Sequence, residues 1–134
     1  MTSAATRRPA VLLLDDEAQL TTVMTRMLEN EFDIEVAANV EEATMLLGTR
    51  EFDAIIADHM MPGQKQGLDF LVDAIRLRPA AKRILMTGYM NPELLARAVT
   101  LGQLSALLLK PVSLPELVKT VQEAAKLHDQ TPAS

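Results

Sequence analysis

Residues 54–63 read AIIADHMMPG, with four apolar residues running directly into an acid. A short continuous apolar run is typical of a strand that is buried on both faces of a parallel sheet. Asp58 then lies where the strand leaves the core, and Pro62 and Gly63 end the extended segment. Because open α/β sheets bind ligands outside the carboxyl ends of their strands, Asp58 is a candidate site residue. On this stretch alone, an acid that only begins a turn is an equally good interpretation.

The same strand-then-helix pattern recurs along the rest of the chain. Four further short segments are predicted strands, at residues 11–14, 34–37, 83–86 and 106–109. Each of the five strands is followed by apolar residues at spacings of three and four, which predicts an amphipathic helix, the first over about residues 17–30. Asn39, Asn91 and Ser113 are predicted helix N-caps. Strands alternating with helices predict an α/β fold with a parallel sheet covered by helices on both faces.

Length and composition limit the class of protein. A chain of 134 residues predicts one domain, which we place at 9–127, between a flexible tail at 1–8 and a tail or linker at 128–134. The absence of cysteine excludes disulfides and thiolate chemistry and fits the reducing cytoplasm, where we expect the protein to reside. A net charge of -5 argues against direct nucleic-acid binding. No apolar run approaches the roughly 20 residues that span a membrane.

Polar side chains stand at the ends of four of the five predicted strands. The first strand ends in Asp15 and Asp16, the third in Asp58, the fourth in Thr87 and the fifth in Lys110. In a parallel sheet these ends lie on one edge, so we expect three carboxylates, a hydroxyl and an ammonium to converge there. Clustered carboxylates without histidine or cysteine ligands suit a hard cation such as Mg²⁺.

The residue types in this predicted cluster point to phosphoryl chemistry. An aspartate carboxylate can attack phosphorus and carry an acyl phosphate, which makes Asp58 a candidate phosphoacceptor. A cation, the Lys110 ammonium and the Thr87 hydroxyl could each neutralise one phosphoryl oxygen. The sequence has no Gly-rich phosphate loop, which argues against nucleotide hydrolysis.

The chain resembles the receiver domain of two-component response regulators over about residues 9–127. The matching segments are Asp15-Asp16-Glu17, Asp58 with Met61-Pro62, Thr87-Gly88 and Lys110-Pro111. The resemblance implies a flavodoxin-like doubly wound (βα)5 fold with strand order 2-1-3-4-5. It also implies that Asp58 accepts a phosphoryl group from a sensor histidine kinase or a histidine phosphotransfer protein.

The resemblance implies roles for the other site residues as well. Acids at Asp15 and Asp16 would serve Mg²⁺, or Mn²⁺ in its place, which would touch Asp16, Asp58 and the backbone carbonyl of Met60. Thr87 would swing to the phosphoryl group and Lys110 would pair with it. The implied protein is a signalling switch, not an enzyme beyond its own phosphoryl transfer and hydrolysis. Its fourth helix, fifth strand and fifth helix would contact an effector or a second copy.

Three positions depart from the usual receiver pattern. Gly67 follows Pro62 by five residues instead of four, so the loop after Asp58 is predicted to be one residue longer. Leu107 stands where a switch tyrosine or phenylalanine is usual. The segment 102–105, Gly-Gln-Leu-Ser, replaces a shorter Gly-Ala start, and its Gly-Gln form resembles receivers of hydrogenase-type regulators.

Two other functions are compatible with parts of this pattern. A phosphatase of the haloacid-dehalogenase type also uses an aspartyl nucleophile and Mg²⁺. Such an enzyme usually has a second acid two residues later, where this chain has Met60, and often a cap for which this chain has no room. A protein-interaction module could keep the fold without being phosphorylated. The intact set of acids, Thr87 and Lys110 argues against that module, whereas Leu107 and the altered loops leave it open.

Overall fold

A computed structural model describes residues 8–61, 63, 65–88, 91–101 and 103–130. Pro62, Gln64, Tyr89, Met90 and Gly102, and the outer parts of both predicted tails, lie outside the described residues. The strands are β1 (Ala10–Leu14), β2 (Asp33–Ala37), β3 (Ala54–Asp58), β4 (Lys82–Thr87) and β5 (Ala106–Leu109). The helices are α1 (Ala18–Leu28), α2 (Val40–Leu47), α3 (Gly67–Leu77), α4 (Pro92–Leu101) and α5 (Leu114–Gln130).

The five strands form one parallel sheet in the order β2-β1-β3-β4-β5. This order confirms the predicted doubly wound fold and places β1 and β3 side by side at the centre. Leu14 at the end of β1 pairs with Ala57, and Asp58 pairs with Met86 of β4. The carboxyl ends of the four strands that carry polar residues therefore lie along one edge.

Two apolar layers hold the helices against the sheet. Alternate residues of β1 point to opposite faces: Leu12 and Leu14 pack in a cluster with α2, α3 and α4, and Val11 and Leu13 pack in one with α1 and α5. All five residues of β1 and of β3 are buried, as continuous apolar runs predict for central strands. Each fully buried aliphatic side chain contributes about 1.5–3 kcal/mol of transfer free energy, so this core fixes the strand ends firmly.

The predicted helix N-caps are confirmed. The backbone N–H of Glu42 donates to Asn39 Oδ1 over 2.8 Å, and that of Leu94 donates to Asn91 Oδ1 over 2.7 Å. The N–H of Glu116 donates to Ser113 Oγ over 3.3 Å. Such caps satisfy amides that the first helical turn leaves unpaired, at about 1 kcal/mol each. They set where each helix begins after its strand.

The helix ends differ slightly from the predicted ones. α1 ends at Leu28 instead of residue 30, because the N–H groups of Glu31 and Phe32 both turn back to the Leu28 carbonyl. α5 continues to Gln130, beyond the predicted domain boundary at residue 127. Within the described residues, no helix combines the length and the apolar character that crossing a bilayer requires.

Candidate functional site

Three carboxylates meet at the carboxyl edge of the sheet. Asp15 and Asp16 follow β1, Asp58 ends β3, and each offers an oxygen within 4.8 Å of the others. Asp15 and Asp58 are only 1% and 3% exposed, whereas Asp16 is exposed to solvent. The structure thus brings the predicted acids together, with two of them held in the protein interior and one at the rim.

Lys110 follows β5 and supplies a positive charge to these acids. Its Nζ lies 3.0 Å from Asp58 Oδ2, 3.7 Å from Asp15 Oδ2 and 3.8 Å from Glu17 Oε1. Partial burial acts to lower the pKa of Lys110, but the hydrogen bond to Asp58 and the attraction of the three acids raise it above its ordinary value. Lys110 is therefore a charged ammonium that partly offsets the repulsion between the carboxylates.

One of the two carboxylate oxygens of Asp15 is buried and lacks a hydrogen bond within the described part of the chain. Its Oδ1 accepts the N–H of Glu17 over 2.9 Å, but its Oδ2 is buried with no hydrogen-bond partner among the described residues. Burial raises the pKa of Asp15, while the Glu17 N–H and Lys110 act to lower it. An oxygen of this kind, within reach of two other carboxylates, fits a hard divalent cation.

Thr87 and Leu107 occupy the predicted positions on β4 and β5. Thr87 ends β4 and is fully buried, and its carbonyl oxygen accepts the N–H of Lys110 over 2.8 Å. Leu107 pairs with Leu85 of β4 and packs half-buried against the apolar cluster on the side of α4. The two strand ends that carry Thr87 and Lys110 are therefore tied together directly.

The loop between β3 and α3 is closed beside Asp58. The N–H of Gly67 donates to the His59 carbonyl over 3.0 Å, and the N–H of Met61 donates to Gln66 Oε1 over 2.9 Å. The N–H of Met60 approaches Asp58 Oδ1 at 3.4 Å. The spacing between Pro62 and Gly67 predicts a longer loop. It does not predict the contact of Gln66 with Met61, which depends on how the loop folds back.

The second altered loop, between α4 and β5, is anchored by Arg83. This residue of β4 is only 8% exposed, and its guanidinium donates to the carbonyl oxygens of Ala81, over 2.9 Å, and Gln103, over 3.1 Å. Gln103 has a left-handed backbone with φ of 47°, and the N–H of Ser105 donates to the Arg83 carbonyl. An arginine at the start of a predicted strand is expected to be exposed, so the sequence does not predict that Arg83 anchors this loop.

The fold and the cluster at its edge agree with a known family. A family model described as response regulator receiver domain matches residues 11–122. The chain therefore belongs to the response regulator receiver domain family, as the resemblance in its motifs predicts.

Curated relatives include two transcription regulators of hydrogenase systems. Hydrogenase transcriptional regulatory protein HoxA of Cupriavidus necator is 29% identical over 120 residues, which are 90% of this chain and 25% of that protein. HoxA of Bradyrhizobium diazoefficiens is 29% identical over 118 residues, 88% of this chain and 24% of that protein. The chain thus spans about a quarter of the length of these relatives.

Solved structures with the same fold cover nearly all of the chain. A CheY-like receiver domain protein of Methanospirillum hungatei JF-1 superposes with a TM-score of 0.87 at 25% identity, covering 94% of this chain and 100% of its own. The signal receiver domain of an HD domain-containing protein of Pseudomonas fluorescens Pf-5 has a TM-score of 0.86 at 28% identity, covering 92% and 98%. Both structures support the receiver architecture.

Proposed function

We propose that the protein is a phosphorylation-dependent switch of a two-component phosphorelay, with Asp58 as its phosphoacceptor. One observation carries the proposal: Asp58 ends the central strand β3 with Lys110 Nζ 3.0 Å from its carboxylate and two further acids within 4.8 Å. A carboxylate placed in this way is held by the core at the carboxyl edge of the sheet and is accompanied by a cation. We place the switch in the cytoplasm, with a sensor histidine kinase or a histidine phosphotransfer protein as donor.

The acid cluster is the proposed metal site. Asp15, Asp16, Asp58 and the Met60 carbonyl would hold Mg²⁺, or Mn²⁺ in its place, and the buried Oδ2 of Asp15, which has no hydrogen-bond partner among the described residues, supports this assignment. Receiver domains typically use Mg²⁺ at such an acidic pocket. When bound, the metal neutralises charge on the carboxylates and on the phosphoryl oxygens.

The chain's own residues account for the transfer. An oxygen of Asp58 attacks the phosphorus of a phosphohistidine, the new O–P bond forms as the P–N bond breaks, and the electron pair of that bond returns to the imidazole. Lys110 keeps its charge beside Asp58 and neutralises a phosphoryl oxygen, and the Thr87 hydroxyl donates to another. Release of the group to water returns the switch to its resting state.

Phosphorylation of the purified protein tests the proposal. Incubation with acetyl phosphate and Mg²⁺ should add one phosphoryl group to the intact mass, and hydroxylamine should remove it, as it does an acyl phosphate. Asp58→Asn should abolish the adduct, because an amide oxygen does not form an acyl phosphate. Asp33→Asn, a matched change at a residue whose side chain is 45% exposed, should leave the adduct intact.

Other outcomes of this experiment would favour other functions. An adduct that persists in Asp58→Asn would move the acceptor elsewhere, with Asp15 the first residue to examine. No adduct on the parent protein would favour an interaction module that works without phosphorylation. Turnover of phosphate monoesters would favour a phosphatase of the haloacid-dehalogenase type.

The proposed output surface is the face formed by α4, β5 and α5. Thr87 and Lys110 are tied by a 2.8 Å backbone hydrogen bond, so movement at the phosphoryl group reaches β5 directly. Leu107 lacks the ring and hydroxyl of the usual switch residue, so we expect the β4–α4 loop and the start of α4 to move instead. Exposed leucines at Leu95, Leu101 and Leu109 are available for an effector or a second copy.

Beryllofluoride with Mg²⁺, which mimics the phosphoryl group on Asp58, should therefore perturb residues 87–109 more than residues 18–50. Amide chemical shifts measure this difference residue by residue. Shifts confined to the immediate site, or spread evenly over both segments, would exclude this face as the output surface.

A further inference from the structure

We propose that Gln66 is a positioning residue that sets the direction of the Met60 carbonyl, the backbone group expected to bind the metal. The inference rests on the proposed function, because it concerns the same metal site. It assigns a role in metal binding to a side chain of the β3–α3 loop that is not itself a ligand.

The argument begins with one peptide unit. The N–H of Met61 donates to Gln66 Oε1 over 2.9 Å, and this N–H shares its peptide unit with the carbonyl of Met60. The only cis peptide among the described residues is Lys110-Pro111, so the unit between Met60 and Met61 is trans. In a planar trans peptide the N–H and the C=O point in opposite directions. A bond that holds the N–H on Gln66 therefore directs the carbonyl away from Gln66.

Contacts on both sides of this peptide unit restrict its rotation. The N–H of Met60 approaches Asp58 Oδ1 at 3.4 Å, which keeps the preceding peptide against the acceptor carboxylate. The Met61 side chain is buried in the core, at 5% exposure, whereas that of Met60 is 62% exposed. The N–H of Met60 is held at Asp58 and the side chain of Met61 is held in the core. The hydrogen bond to Gln66 then fixes the rotation of the peptide unit between these two residues. We infer that the carbonyl faces the acid cluster.

Gln66 is itself held in place by the start of α3. Its N–H donates to Asp69 Oδ2 over 2.8 Å, and the next residue, Gly67, donates to the His59 carbonyl over 3.0 Å. Because the Met61 N–H can only donate, the atom that faces it must be an oxygen acceptor. The Gln66 side chain serves the loop through Met61 and also takes part with Asp69 in a capping box, whereas the Asp69 side chain serves the helix start without contacting Met61. This division lets the two roles be separated by mutation.

Two substitutions of Gln66 remove the contact in different ways. Gln66→Met keeps the length of the side chain and removes the acceptor. Gln66→Asn keeps an amide and a good helix N-cap, but its oxygen is one methylene too short to reach Met61. Loss of a group that orients a metal ligand typically weakens metal binding 10–100-fold, so we expect at least a tenfold rise in the Mg²⁺ Kd of both variants. Gln66→Glu retains an acceptor oxygen and should retain affinity.

The experiment titrates the full chain with Mg²⁺ alone by isothermal calorimetry and measures metal-free thermal stability for each variant. Asp69→Ala is the matched control, since it removes the cap on the Gln66 N–H but leaves the Gln66 side chain. We expect Asp69→Ala to lower the metal-free Tm with little change in Mg²⁺ Kd, and the Gln66 variants to raise the Kd more than they lower the Tm.

An unchanged Mg²⁺ Kd in Gln66→Met and Gln66→Asn would overturn the inference and leave the proposed function standing. A loss of affinity in Asp69→Ala as large as in the Gln66 variants would also overturn it, because general loop order would then explain the effect. A parent protein that binds no Mg²⁺ would overturn the metal site itself, and with it both proposals.

Discussion

Replacing Lys110 by methionine is expected to lower the free energy of unfolding of the metal-free protein by about 3 kcal/mol. The Lys110 ammonium lies 3.0 Å from Asp58 and 3.7 Å from Asp15, whose side chains are 4% and 0% exposed. Methionine preserves the apolar stem but leaves buried carboxylates without their cation. Nothing then offsets the mutual repulsion and the desolvation of those carboxylates. Removing one partner of a buried ion pair is strongly destabilising because the other charge stays buried and unpaired.

The direction of the pH dependence follows from the raised pKa of Lys110. A cationic group whose pKa is higher in the folded state stabilises the fold fully below its unfolded value, 10.5, and loses that contribution as pH rises through the folded pKa. Urea unfolding at pH 7 with EDTA therefore measures the whole effect. Adding Mg²⁺ should stabilise the Lys110→Met variant more than the parent, because a divalent cation replaces the missing charge.

Lys65→Met is the matched control for this experiment. Lys65 Nζ lies 2.6 Å from Asp73 Oδ2, closer than Lys110 lies to Asp58, but the Lys65 side chain is 57% exposed. A solvent-exposed pair contributes about 0–1 kcal/mol, so the control should unfold almost as the parent does. Equal losses in the two variants would mean that the acid cluster does not depend on Lys110.

Replacing Gly67 by alanine is the second change with a large expected effect, about 3 kcal/mol. A Cβ atom at this position would lie 2.1 Å from the Asp58 carbonyl oxygen and 2.7 Å from its carbonyl carbon. Both are backbone atoms of a central strand, so a side-chain rotation cannot relieve the overlap. Either the end of β3 or the start of α3 must move, and both carry residues of the proposed site.

Chemical denaturation of Gly67→Ala measures the decrease in the free energy of unfolding, and Gly48→Ala is the control. Gly48 follows α2 with φ of -77°, and a Cβ there would meet the Met45 carbonyl oxygen at an ordinary 3.4 Å. We expect the control to be neutral within about 0.5 kcal/mol. We also expect Gly67→Ala to take up less phosphoryl from acetyl phosphate. A variant of parental stability would show that the end of β3 and the start of α3 can move apart at little cost.

The fold was predictable because its strands are short apolar runs between amphipathic helices. The continuous apolar run at residues 54–57 is typical of a strand in the middle of a parallel sheet, and the structure places it there. The exact helix ends were less predictable. α1 stops at Leu28, where the N–H groups of Glu31 and Phe32 share the Leu28 carbonyl in a local turn that the spacing of apolar residues does not specify.

The site was predictable where residue type and strand end coincide, and not where the chain folds back on itself. Asp15 and Asp16 are identical neighbours in the sequence, yet one is 1% exposed and the other is solvent-exposed. Met60 and Met61 are likewise identical neighbours, but Met60 is 62% exposed and Met61 only 5%. Gln66 reaches Met61 only because Gly67 allows the loop to close against β3. Such contacts depend on backbone direction, which composition and spacing do not encode.

The order in which the site residues occur along the chain has a consequence during synthesis. Asp58 and Lys110 are 52 residues apart, and Lys110 follows β5, which lies at one edge of the sheet. β1 and β3, which carry the three acids, have both been synthesised once residue 58 has left the ribosome, well before β5. Until β5 docks, that nascent cluster lacks its ammonium. We expect divalent cations in solution to favour the partly folded chain during this interval, because they would replace the missing positive charge.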